Sequence, residues 1–314
     1  MSQASASAKI ILFGEHAVVY GQPAIAVPLS DLRAYATVEP NPPGAVGLHI
    51  DMPDVNQTLP VDIRAEAVDN ALALTATLVL QTLNAAPPNA TIRIRSQIPI
   101  AGGLGSGSAV STALARALCA ALDRELEPPA LNALIYEVEK IHHGTPSGID
   151  NTVIVYERPV FFIRGEVPET IAVGAPLTLL VGDTGVAAST RIAVGDVRKL
   201  YDADRANTGR AIETIGDLAS AARDALAAGN AVRLGTLMND NHDLLRQLTV
   251  SSPELDGLVA AALAAGALGA KLSGGGRGGN MIALVTPETA ERVERALLRA
   301  GAARVFKTTL AQER

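Results

Sequence analysis

Apolar and polar positions along this chain follow two periods that alternate from end to end. Ala8–Phe13 is apolar except for Lys9 and predicts a buried strand. Ala34–Glu39 and Val46–Ile50 predict the two strands of a hairpin, with Pro40, Pro42, Pro43 and Gly44 as its turn residues. Val61–Leu83 is rich in Ala and Leu and predicts a helix or a helix pair. Thr91–Ile98 alternates as a half-buried strand does, and Ala109–Leu122, free of Gly and Pro, predicts a helix. Ala130–His143 carries Leu131, Leu134, Ile135, Val138 and Ile141 as one apolar stripe and predicts the next helix. A strand is expected around Thr152–Tyr156. Further on come a strand at Leu177–Asp183 and a helical stretch from Ile192 to Leu248 broken near Gly229-Asn230. A helix at Leu255–Ala265, a strand at Met281–Val285, a helix at Pro287–Ala300 and a strand at Val305–Thr309 complete the pattern. The class is α+β, and the change of pattern near residue 175 predicts two domains, 1–175 and 176–314.

Composition narrows the function classes. The chain has 314 residues, 48% of them apolar, which is enough for two cores. Its net charge is −6 and no dense Lys/Arg run occurs, which argues against nucleic acid as the main partner. A lone cysteine, Cys119, permits no internal disulfide and fits a reducing, cytoplasmic setting. The N-terminal residues do not follow a signal-peptide pattern. Gly257–Ala270, the longest uncharged apolar stretch, is too short to span a bilayer, so no membrane partner is expected.

The candidate chemistry gathers around Ile98-Pro-Ile-Ala-Gly-Gly-Leu-Gly-Ser-Gly-Ser-Ala109. A strand precedes it and a helix follows. Glycines let a ligand approach backbone N–H groups, and a helix N-terminus adds orphan donors and partial positive charge, so the assembly suits a phosphate; the plain alternative is a Gly-rich connector. No Gly-Lys-Ser/Thr follows, so it is not a Walker loop, and no dinucleotide fingerprint fits. Lys9, Glu15 and His16 lie on or just after the first apolar run, where charge is unusual unless paired or facing a site; Lys9 could instead be a strand-end lysine whose head reaches water. Glu139 stands one turn from His142 and His143. Asp150 follows a Pro-Ser-Gly turn, which it could simply close. Lys271-Leu-Ser-Gly-Gly-Gly-Arg-Gly-Gly-Asn280 is a second glycine cluster.

Three motifs in order give the chain a family resemblance: Lys9 to Ala26 with its Gly-Glu-His-Ala-Val-Val-Tyr-Gly core, the glycine loop with Glu139 and Pro146-Ser-Gly-Ile-Asp150, and Lys271 to Gly279. Together they resemble the GHMP small-molecule kinases, and the first motif with His-Gly-x-Pro-Ser-Gly-Ile-Asp resembles the mevalonate-phosphorylating branch. The resemblance implies a ribosomal-protein-S5-like N-terminal domain and a ferredoxin-like C-terminal domain. It implies ATP- and Mg²⁺-dependent phosphorylation of the C5 hydroxyl of (R)-mevalonate in isoprenoid synthesis, with small-molecule partners and a homodimer as a family expectation. Phosphomevalonate kinase, homoserine kinase and a non-catalytic paralogue are the alternatives. Carried onto this sequence, the ATP phosphates fall to Gly102, Gly103, Leu104, Gly105, Ser106, Gly107 and Ser108, with Gly274, Gly275 and Gly276 from the second loop. Asp150 is the expected general base and Lys9 its cationic neighbour. Glu15, His16, His143 and Thr190 are expected around the substrate, and Glu139 with Ser108 at the metal. The chain departs from the family at Ser7-Ala8, where Pro-Gly is usual, and at Gly107, which occupies the slot of a magnesium-contacting serine. Ser108 could alternatively cap the following helix.

Overall fold

The computed structural model describes residues 1–62, 70–99, 103–143 and 146–311, with His142 and His143 described by backbone alone. The chain forms two compact units, and its first two strands, β1 (Ser2–Phe13) and β2 (Ala24–Pro40), contribute to both.

The first unit comprises residues 1–8, 32–100 and 104–157. It contains β3 (Leu48–Met52), β4 (Gln57–Pro60), α1 (Ala71–Thr82), β5 (Ala90–Ser96), α2 (Ser106–Ala121), α3 (Pro128–His143) and α4 (Ile149–Tyr156). Ile92 and Ile94 of β5 are buried, while Arg93 between them points outward and pairs with Glu39 on β2 and Asp51 on β3. That pairing marks where the expected hairpin fails. β5 lies between β2 and β3, antiparallel to the first and parallel to the second. The turn residues do reverse the chain, but Asn41 bonds Asn89 and Thr91 at the start of β5, so the loop steps across that strand.

A second expectation also fails locally. Thr152–Tyr156 is helical, as part of α4, not a strand. The helix starts from Gly148 in the left-handed region, φ 91°, with Thr152 Oγ1 donating to the Gly148 carbonyl at 2.7 Å. Asn151 Nδ2 donates to Asn132 Oδ1 of α3 at 2.6 Å. β-Branching costs a helix only tenths of a kcal/mol per residue, about the least of these terms, so burial against α2 and α3 decides. In α1 the Asn70 side chain accepts from the N–H groups of Leu72 and Ala73. The helix expected from Val61 lies partly in 63–69, outside the described residues.

The second unit comprises residues 9–31, 101–103 and 158–314. It contains β6 (Val160–Phe162), β7 (Glu169–Thr170), β8 (Leu177–Asp183), α5 (Thr190–Ala203), α6 (Arg205–Ala227) and α7 (Ala231–Gln247), then α8 (Pro253–Ala264), β9 (Gly269–Ser273), β10 (Asn280–Val285), α9 (Pro287–Arg299) and β11 (Arg304–Leu310). An antiparallel sheet in the order β11-β8-β10-β9 is backed by α7, α8 and α9 around Leu180, Leu258, Leu272, Met281, Val293 and Leu297. The helical stretch expected as one piece up to Gly229 breaks again at Asp204, whose carboxylate accepts from the Asn207 N–H and starts α6. The sequence pattern also missed β9, whose five residues, Gly269 to Ser273, straddle the end of one apolar stretch and the start of the glycine cluster. Backbone approaches backbone there: a Cβ on Gly235 of α7 would sit 2.3 Å from the Leu268 carbonyl oxygen.

Candidate active site

In the first unit α2 begins three residues earlier than the pattern predicts, at Ser106, with Gly105 as its N-cap at φ 73° and no side-chain cap. Ser106, Gly107 and Ser108 are therefore the first turn of the helix, and Ser108 is not its cap. That turn leaves orphan backbone N–H groups and the positive end of the helix dipole at its start. Ser106 is half-buried and Gly107 exposed, whereas Ser108 is buried and its hydroxyl has no partner within hydrogen-bonding distance. Leu104 is buried beside them. Gly102 lies outside the described residues; Gly103 falls with the second unit. Glu139, on α3, is 4% exposed, and α3 packs on α2. Asp150 is half-buried in the first turn of α4. The side chain of His143 lies outside the described residues.

The second unit brings most of the other expected residues together. Lys9 is 5% exposed in the middle of β1, so it is not a strand-end lysine with its head in water. Glu15 and His16 follow that strand, and His16 turns the chain at φ 61°. His16 Nε2 lies 3.1 Å from the Gly275 carbonyl. A carbonyl only accepts, so Nε2 carries the proton and Nδ1 is an acceptor. Nδ1 is buried without a partner. Burial, helped by the Arg277 cation, pushes the imidazole pKa down to about 4, against the pull of the Gly275 carbonyl. Thr190 starts α5 against the same glycine: a Cβ on Gly275 would stand 2.7 Å from Thr190 Oγ1, so only glycine fits. Gly274 and Gly276 flank it with positive φ.

Two residues of this region carried no assigned role in the sequence reading. Lys271, fully buried, forms an ion pair with Glu15. Burial pushes the carboxyl pKa up and the ammonium pKa down, and their mutual attraction opposes both. Arg277 sits in the glycine loop at φ 59° and pairs with Asp196 of α5 at 2.5 Å. The signal for Lys271 was a lysine set directly after the apolar stretch that ends at Ala270; for Arg277 it was a charge among glycines.

Residues 70–158 match the family described as GHMP kinases N terminal domain, and residues 222–303 match GHMP kinases C terminal. The chain belongs to the GHMP kinase family and is a kinase. Among its relatives is the protein named mevalonate kinase of Thermococcus sibiricus, 38% identical over 313 residues, which span 95% of this chain and 93% of that protein. Among solved structures, L. major mevalonate kinase in complex with R-mevalonate aligns with TM-score 0.84 and 31% identity, over 100% of this chain and 97% of the other. Methanococcus jannaschii mevalonate kinase aligns with TM-score 0.86 and 27% identity, over 99% and 98%. The α+β class and the two-domain GHMP fold expected from the sequence are borne out.

Proposed function

We propose that the protein transfers the γ-phosphoryl group of ATP to the C5 hydroxyl of (R)-mevalonate, giving 5-phosphomevalonate and ADP. The observation that carries this reading is the full-length likeness to proteins named mevalonate kinase. The site supports an alcohol as acceptor: Glu15 and His16 each present a buried acceptor atom without a donor, a setting that favours hydroxyls over a second phosphate.

Phosphoryl transfer needs positioning and charge neutralisation more than covalent help. In this mechanism the C5 oxygen attacks the γ-phosphorus as its proton passes to an Asp150 carboxylate oxygen, and ADP leaves. The Lys9 ammonium offsets the charge that develops on the attacking oxygen. Gly102 to Ser108 hold the phosphates through N–H groups, with Gly274, Gly275 and Gly276 allowing close approach, and Glu15, His16, His143 and Thr190 line the substrate.

The donors suit Mg²⁺. It binds through one or two carboxylates plus phosphates and keeps its waters, so Glu139 with the unpartnered Ser108 hydroxyl is a sufficient protein share. Among the described residues no group of three or more His, Cys, Asp or Glu forms a cage, and Mg²⁺ needs none. When bound, the ion neutralises phosphate charge.

We place the boundary between the two family halves near residue 175, between the matched segments. Localisation in the cytoplasm and a homodimer belong to the same proposal; among the described residues no helix is long and apolar enough to cross a membrane.

The test is an ADP-release assay with (R)-mevalonate, phosphomevalonate, homoserine and galactose, repeated with Asp150→Asn. The highest kcat/KM is expected with mevalonate, and a kcat lower by on the order of 10²–10⁴ in the variant. A better substrate among the other three would overturn the assignment, and near-normal turnover by Asp150→Asn would remove the base.

A further inference from the structure

Lys271 and Ser273 on β9, and Gly275 in the turn that follows it, all hold the segment that carries Glu15 and His16. Lys271 Nζ pairs with Glu15 Oε1, Ser273 Oγ donates to the Ile11 carbonyl at 2.6 Å, and the Gly275 carbonyl meets His16 Nε2. Behind this face the strand is tied a second time. Lys271 Nζ also donates to the Leu272 carbonyl at 2.7 Å, and the Leu272 N–H donates to His242 Nδ1 at 3.3 Å. His242 Nε2 then carries the ring proton and meets Asp256 Oδ1 at 3.2 Å. Ser251 Oγ and Arg246 Nε hold the Asp256 carboxylate from the other side. A line of polar contacts thus runs from Asp256 at the edge of α8 to Glu15.

A fully buried Lys–Glu pair is a poor way to stabilise a fold, because desolvation of both charges offsets their attraction, and apolar residues of similar volume often do as well. Here the pair holds one carboxylate oxygen and leaves the other. Glu15 Oε2 is buried with no hydrogen bond of its own, although Oε1 is taken and the Glu15 and Gly274 N–H groups lie near the carboxylate. An isolated carboxyl at that depth would take up a proton and lose its acceptor strength.

We propose that Lys271 is a positioning residue of the phosphoryl-transfer site, holding Glu15 by Oε1 and aiming it so that its second oxygen accepts from a substrate hydroxyl, with His242 and Asp256 fixing the strand behind it. This rests on the reading of Glu15 as a substrate residue.

A double-mutant cycle tests it on the full-length protein: Glu15→Gln, Lys271→Met and the pair together, each assayed for KM and kcat with (R)-mevalonate and for KM with ATP. Each single variant is expected to lose on the order of tenfold or more in kcat/KM for mevalonate, with KM for ATP nearly unchanged. The double variant is expected to match Glu15→Gln, because Lys271 acts only through Glu15. It has no buried charge at the pair, so it remains measurable if either single variant, each of which strands a buried charge, does not fold; a double variant with the kcat/KM of the natural protein then overturns the proposal. Additive losses in the double variant, or a lowered melting temperature with normal kinetics in Lys271→Met, overturn the proposal. Normal kinetics in Glu15→Gln would instead overturn the underlying placement of Glu15.

Discussion

Two residues hold conformations or charge states that their own chemistry disfavours. His16 is neutral in the folded protein down to about pH 4, whereas the unfolded chain takes the proton near 6.5. Stability from this residue is therefore complete above pH 6.5 and is lost as pH falls from there through 4. At about 1.4 kcal/mol per pKa unit the loss is about 3 kcal/mol. His16→Asn keeps a side chain that tolerates the left-handed region and cannot titrate. Urea denaturation at pH 7.5 and pH 4.5 is expected to show a smaller acid loss in His16→Asn than in the natural protein; equal losses would clear His16 of any part in it. Thr249, at φ 61°, is a β-branched residue in the same region, on the turn between α7 and α8. Thr249→Gly is expected to raise stability by about 1 kcal/mol, read as an increase in the denaturation midpoint at constant slope. Neither feature is visible in the sequence, because φ and burial depend on which neighbours the chain folds against.

At the scale of elements, the first turn of α2 decides how the Gly107 departure is met. Ser106 and Ser108 are N1 and N3 of the helix and point in different directions; one is half-buried and the other buried. If Ser108 reaches the metal, Ser108→Ala raises the magnesium concentration needed for half-maximal activity, Ser106→Ala raises it less, and Glu139→Gln raises it most because it also removes charge. An unchanged requirement in Ser108→Ala, with only a lower melting temperature, would make that hydroxyl structural. The packing of α7 on β9 offers a second test at this scale. Gly235→Ala sets a methyl group against the Leu268 carbonyl, at 2.3 Å before any relaxation, and is expected to cost about 1–3 kcal/mol by overpacking. A midpoint equal to that of the natural protein would mean that helix and strand part without cost.

For the whole molecule, the contact pattern says that residues 158–314 are not a complete folding unit. Residues 9–31 belong with them: Ala17 is part of their core, Gln22 lies against Gly216, and Glu15 is the charge partner of buried Lys271. Losing that carboxylate strands a buried ammonium, at about 3–5 kcal/mol, a large part of the stability of an ordinary domain. A fragment of residues 158–314 is expected to lack a cooperative thermal transition by circular dichroism, and the same fragment joined to residues 9–31 through a flexible linker is expected to regain one. A sharp transition in the shorter fragment would show that the segment is dispensable.

The sequence by itself determined the features that depend on local composition. β8, α9 and β11 follow from apolar periodicity, to within a residue or two, and the glycine loop that leads into α2 follows from glycines set between a strand and a helix. Glu15, His16, Thr190 and the second glycine loop were named from motif resemblance; the fold brings His16 and Thr190 to Gly275 and ties Glu15 to Lys271. The tertiary structure decided what rests on distant partners. β5 took the place of the expected hairpin contact because it pairs along its backbone with both β2 and β3 while burying Ile92 and Ile94. Residues 152–156 became helical because their β preference, worth tenths of a kcal/mol, yields to burial against α2 and α3. Lys271 acquired its partner from 256 positions away. Periodicity reports which side of an element is buried; it carries no information about what that side is buried against, and it is the partner that sets register, ionisation and the geometry of the site.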